Sequence, residues 1–201
     1  MAKRRRVIDE EYGEDSDSDQ ITDKIVKDLK NSLGDVAYIL GRGDAPPEVS
    51  EWISTGSTEL DAKIANNPDV DGGIPVGRLT EIFGEEATGK SFIAYMALAD
   101  CQRRGGIPVL IDTENSANMT FLKMLGLDPE DGKLIYIQVD TIEEVFTAIE
   151  SVIVKIREEY KDKLCVIVWD SVAATTTKAE LQNDYGDVTV ALGPRLIGQG
   201  L

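Results

Sequence analysis

The sequence predicts an α/β fold, a mostly parallel sheet with helices on both faces. Three observations carry that prediction. Short, near-continuous apolar runs alternate with longer segments of helical periodicity, and strands covered on both faces read as unbroken apolar runs. A glycine-rich loop at residues 84–91 joins one such run to one such segment. The chain has 201 residues, 42% of them hydrophobic, which suits one packed domain with a small appendage and is too apolar for a wholly disordered chain.

Lys3, Arg4, Arg5 and Arg6 form a basic cluster, and residues 7–23 then carry eight acidic side chains and no basic one. Residues 1–20 are expected to be a disordered acidic tail with a basic start, because so little apolar surface cannot offset the entropy of ordering. Residues 21–55 are expected to hold an N-terminal helix and a connecting segment. Ile21, Ile25, Leu29, Leu33, Val36 and Leu40 recur at spacings of three and four, which predicts an amphipathic helix over 21–40. Gly41, Gly43, Pro46 and Pro47 then break the regularity. Residues 56–201 form the expected core. Strands are predicted at 79–83, 108–111, 134–139 and 164–169, and helices at 90–104 and 141–160. The second helix has the clearest stripe, from Ile142 through Val145, Ile149 and Val152 to Ile156. Thr141 followed by Glu144 is a capping box at its start.

Charge and composition exclude several chemistries. The chain has 21 Lys plus Arg, 37 Asp plus Glu and no His, a net charge of −16. Without imidazole there is no Ser-His-Asp triad, no Cys-His pair and no histidine zinc site. Cys101 and Cys165 are too few for a disulfide framework and read as buried free thiols. No run approaches the ~18 apolar residues of a membrane span, and the basic N-terminus is not followed by the apolar core of a secretory signal. A cytoplasmic location without a membrane partner is expected.

Residues 84–91 read GEEATGKS, a G-x-x-x-x-G-K-[ST] match. Backbone N–H groups of such a loop point at phosphate oxygens, and glycine permits the close approach. Lys90 would reach the β- and γ-phosphates, and Ser91 would offer its hydroxyl to Mg²⁺. The following helix adds its positive N-terminal end. At ordinary residue frequencies a chance match in this length is roughly one in a hundred. Val166–Ile167–Val168–Trp169–Asp170 is an apolar run ending in a carboxylate. Asp170 would stand at the carboxyl edge of the sheet, where it could hold Mg²⁺ through water or simply cap a helix. Glu114 follows the strand at 108–111. It could orient or deprotonate a water attacking the γ-phosphate, or it could belong to a helix cap that Asp112 or Asn115 could equally supply.

Three segments together resemble the RecA-type recombinase family, in a divergent or bacteriophage form. They are ISTGSTELD with GGIPVGRLTEIFG and the phosphate loop, VLIDTEN with LKMLGLD, and VIVWDSVAA with TKAELQNDYGD and PRLIGQ. The resemblance runs from about Ile21 to the last residue. It implies a RecA-like P-loop NTPase core that binds ATP and Mg²⁺, assembles as a helical filament on single-stranded DNA and pairs it with double-stranded DNA. Gly84, Glu85, Glu86, Ala87, Thr88, Gly89, Lys90 and Ser91 carry over to the phosphate site, Glu114 to the catalytic glutamate, and Ser91 with Asp170 to the Mg²⁺ site. Asn118 and Phe121 fall beside adenine, where the family has Asp and Tyr. The helix at 21–40 and the segment at 52–54 resemble the part that packs onto the neighbouring subunit.

Lys178 and Val190 fall in or beside the first DNA-binding loop, and Arg195 falls on a DNA-contacting arginine. Val190 stands for a methionine and Gly198 for a serine. In the family a further strand lies between the phosphate-loop strand and the strand ending in Asp170. Its absence here implies a core incomplete at the C-terminus. Two function classes follow: a DNA-dependent ATPase of homologous recombination and repair, or a catalytically silent fragment that binds nucleotide or a complementing recombinase chain.

Overall fold

A computed structural model describes residues 16–34, 37–39, 49–67, 70–130, 132–182 and 192–200. It divides into two compact units, Met1–Ser50 and Glu51–Leu201.

In the first unit, helix α1 spans Ser16–Leu33. It begins five residues before the predicted start and takes in Ser16–Asp17–Ser18–Asp19–Gln20, which composition alone assigned to the tail. Acidic residues in a first turn favour the positive helix end, so a sequence too polar for a core still starts a helix. The helix also stops earlier than predicted, at Gly34. That glycine has φ +84° and returns its N–H to the Lys30 carbonyl at 3.0 Å, a left-handed stop that favours glycine. Ile21, Ile25, Leu29 and Leu33 are all exposed. Residues 1–15, and Val36 and Leu40 of the predicted stripe, lie outside the described residues.

The second unit begins with strand β1 (Trp52–Ile53), helix α2 (Thr58–Ala65) and strand β2 (Ile74–Pro75). β1 and β2 pair antiparallel, so the segment at 52–54, expected with the N-terminal helix, belongs to the core unit. Asp61 of α2 organises this corner. It is buried and accepts from Ser54 Oγ (2.7 Å), Thr55 Oγ1 (2.6 Å) and Thr55 N–H (2.8 Å). Burial alone would push its carboxyl up, but the Thr55 and Ser54 hydroxyls and the Thr55 N–H together hold it below its ordinary value. Gly73 crosses this corner at φ +109°, where a Cβ would stand 2.1 Å from the Ile53 carbonyl oxygen.

Helix α3 (Lys90–Arg103), strand β3 (Ile107–Asp112), helix α4 (Met119–Met124), strand β4 (Ile135–Ile137), helix α5 (Ile142–Glu159) and strand β5 (Cys165–Asp170) follow. The sheet runs β4-β3-β5 and is fully parallel. Alternation along β3 sends its side chains to both faces. Leu110 packs with Tyr95, Leu98 and Ala99 of α3 and with Leu122 and Leu127. Val109 and Ile111 pack with Val145 of α5. The predicted layers, a parallel sheet with helices on both faces, are present. Thr141 and Glu144 form the predicted capping box on α5. Cys101 is buried and Cys165 half-buried, both free, and burial pushes their thiols up to about 12 and about 11.

One predicted strand does not form. Residues 79–83 make no ladder pairs, and Leu79 and Phe83 are 74% and 85% exposed. Among the described residues β5 also has a neighbour on one side only. An apolar run becomes a strand only where its N–H and C=O groups find a partner, and none is described here. After β5 come a 3₁₀ turn at Val172–Ala174, helix α6 (Lys178–Gln182) and helix α7 (Leu192–Gly200). α7 lies on α5, where Gly200 meets the Phe146 ring so closely that a Cβ would be 2.3 Å from it.

Candidate functional site

The loop at 84–89 leads directly into α3. Gly89 is the N-cap at φ +92°, a left-handed conformation that glycine adopts without steric cost. Lys90 folds back over the loop and donates its ammonium protons to the carbonyls of Gly84 (3.1 Å) and Glu85 (2.7 Å). Thr88 Oγ1 donates to the Glu85 carbonyl at 2.8 Å, and Ala87 holds φ +59°. Glu86, between them, is exposed. An exposed loop, the Lys90 ammonium and the first N–H groups of a fourteen-residue helix thus meet at one place.

The carboxylates stand at the carboxyl ends of neighbouring strands. Asp112 and Asp170 are register partners, the last residues of β3 and β5. Asp112 is fully buried and works on its own loop. It accepts N–H groups from Glu114 (3.2 Å), Ser116 (3.3 Å) and Ala117 (2.9 Å), and the Tyr136 hydroxyl at 2.8 Å. Burial pushes its carboxyl up, but the Ala117 N–H, the Tyr136 hydroxyl and the other N–H groups outweigh it and hold it low. Glu114, two residues on, is exposed and accepts a short hydrogen bond from Ser171 Oγ. Asp170 Oδ2 accepts from the Tyr95 hydroxyl at 2.9 Å. Thr113 N–H donates to the Asp170 carbonyl (2.9 Å) and Thr113 Oγ1 to the Ser171 carbonyl (2.9 Å), which ties the two strand ends together.

A cavity of about 440 Å³ lies between α3 and α4, lined by Ser91, Tyr95, Ser116, Asn118, Thr120, Phe121 and Met124. Phe121 meets Tyr95 edge-on, ring centroids 6.3 Å apart. Asn118 has a structural duty here as the N-cap of α4, accepting from Thr120 N–H (2.9 Å) and Phe121 N–H (3.2 Å). The cap is therefore neither Asp112 nor Asn115. A larger cleft of about 610 Å³ opens at the opposite, amino-terminal edge of the sheet. Its Arg104 is already engaged by Glu51 and the Trp52 carbonyl.

Lys178 and Arg195 are both exposed. Lys178 opens α6 and donates its backbone N–H to Glu143 at 3.0 Å. Arg195 lies on α7. Val190 lies outside the described residues. Among the described residues no three His, Cys, Asp or Glu side chains cluster as a metal cage. The donors present, one hydroxyl and one carboxylate at the loop and strand ends, fit Mg²⁺, which keeps several waters and uses one or two protein oxygens beside substrate phosphates.

Residues 20–201 match the family model described as the RecA N-terminal domain. The chain belongs to the RecA N-terminal domain family. It is similar to Protein RecA of Wolinella succinogenes, 36% identical over 187 residues that cover 93% of this chain and 49% of the relative. Protein RecA of Helicobacter hepaticus is 36% identical over 176 residues, covering 88% and 47%. Protein RecA of a Wolbachia from Brugia malayi is 34% identical over 181 residues, covering 87% and 47%. The chain spans about half the length of the curated relatives it matches. The RecA-like α/β core expected from the sequence is thereby shown.

Sequence reading of this candidate site missed Ser171, Thr113, Tyr95 and Tyr136. Ser171 stood in the quoted VWDSVAA run, so its contact with Glu114 had a signal. Tyr95 had none beyond lying four residues after Ser91, one helical turn on.

Proposed function

We propose that this chain is the nucleotide-binding half of a RecA-type recombinase, a DNA-dependent ATPase that uses ATP and Mg²⁺ and binds single-stranded DNA as a filament for homologous pairing. The reading is supported above all by the convergence of Lys90, Ser91, Glu114 and Asp170 at one end of α3 and one edge of the sheet. Lys90 exchanges its loop carbonyls for phosphate oxygens and neutralises charge on the transferring group. The loop N–H groups from Gly84 to Gly89 orient the phosphates. Ser91 and Asp170 supply the oxygens that hold Mg²⁺, directly or through water. The ion, when bound, offsets charge on the β- and γ-phosphates. Glu114, held by Ser171, orients the attacking water and accepts its proton. Phe121 offers an aromatic face to the base, and Asn118 sits beside it. Lys178, Arg195 and Val190 are assigned to DNA, and a cytoplasmic site of action follows from that role.

The side of β5 that has no partner among the described residues and the exposed run at 79–83 favour a second reading. In it the chain binds nucleotide and a complementing recombinase chain without turning over alone. Turnover with and without single-stranded DNA separates the two. The first reading expects DNA-stimulated ATP hydrolysis that falls at least a hundredfold in Lys90→Ala. Equal, near-zero turnover in both proteins, with nucleotide binding retained by the parent chain, supports the second.

A further inference from the structure

Tyr95 is 3% exposed and sits among the aliphatic neighbours Leu98, Leu110, Leu122 and Leu127. In those surroundings a phenol hydroxyl must find a partner or lose its hydration uncompensated. Its partner is Asp170 Oδ2, at 2.9 Å and 75 positions away in sequence. Carboxylate rotation about χ2 is soft, because terminal sp³–sp² torsions are broad. One buried donor on Oδ2 restricts that freedom. The anchor lies one turn along α3 from Ser91, and both border the same cavity. The same ring also lies edge-on against Phe121. A single side chain therefore touches the carboxylate at the end of β5 and the aromatic wall of the cavity.

We propose that Tyr95 is a positioning residue that orients Asp170 for Mg²⁺ and couples it to occupancy of the cavity beside Phe121. This rests on the phosphate-loop reading above. Partners that orient a metal-associated side chain commonly change metal affinity ten- to a hundredfold when removed.

The test is the ratio of nucleotide affinities with and without Mg²⁺, read with a fluorescent ADP in graded MgCl₂ and in EDTA. Tyr95→Phe keeps the ring and its packing and removes only the hydroxyl; near-UV circular dichroism checks its fold. The expected result is a Mg²⁺ midpoint raised about tenfold and a correspondingly smaller affinity ratio. An unchanged midpoint and ratio would overturn the proposal. Asp170→Asn supplies the second arm. Adding Tyr95→Phe to it should shift the midpoint no further, and a full additive shift would show that Tyr95 does not act through Asp170. A parent chain that binds no nucleotide would overturn the phosphate-loop reading itself, and this inference with it.

Discussion

Asp61 shows how one residue can hold a corner together. Its buried carboxylate accepts three donors from Ser54 and Thr55, and its carbonyl accepts the Gly73 N–H at 3.0 Å. Asp61→Asn takes the ionised acceptor from all three donors and puts an NH₂ donor in place of one oxygen. Urea unfolding should register a loss of about 2 kcal/mol at pH 7. The acid side has a definite sign. The folded carboxyl is held below its ordinary value, so its contribution is complete above the unfolded value of about 3.9 and fades as pH falls through the lower folded one. The Asn variant should therefore lose less stability than the parent below about pH 4. Parallel curves for the two proteins would contradict this. ISTGS and the aspartate in STELD were legible as motifs, but their mutual hydrogen bonds were not, because spacing does not say which side chains turn inward.

At the scale of elements, end signals were the most readable and partners the least. Thr141 and Glu144 predicted a capping box that is present, with Thr141 Oγ1 also meeting Glu144 Oε2 at 2.8 Å. Thr141→Ala should lower stability by about 1 kcal/mol, measured by thermal or urea unfolding. A change under about 0.3 kcal/mol would mean that the Glu144 carboxylate and water replace the cap. Asn118 is the opposite case. Its placement near a base came from family likeness, whereas capping α4 is what its side chain does in the fold. Its amide oxygen accepts the Thr120 and Phe121 N–H groups. The early start of α1 was hidden because the Ser-Asp repeat reads as polar tail to a composition argument and as a favourable first turn to a helix.

At the scale of the whole molecule, the described sheet ends at β5. Among the described residues β5 is paired with β3 alone, and Leu79 and Phe83 stand exposed. Open apolar edges promote association between chains. A Leu79→Lys, Phe83→Lys double variant should show less concentration-dependent light scattering than the parent at equal ionic strength. Scattering unchanged by both lysines would contradict a role for that run. The net charge of −16 opposes association in general, and two added lysines reduce it, so a fall in scattering must be local to that run.

The sequence by itself determined the class of fold, the phosphate-type loop, the β3 and β5 runs, the α5 stripe with its cap, and the absence of imidazole chemistry. Those are properties of residue type and near-neighbour spacing, set by backbone geometry within a few residues. Tertiary structure alone decided that 79–83 is not a strand, that 52–54 joins the core unit, and that Tyr95, 75 residues before Asp170, is its hydrogen-bond donor. It also decided that Ser171 holds Glu114. Each of these depends on which backbone or side-chain groups find partners at long sequence separation, and periodicity carries no record of that pairing.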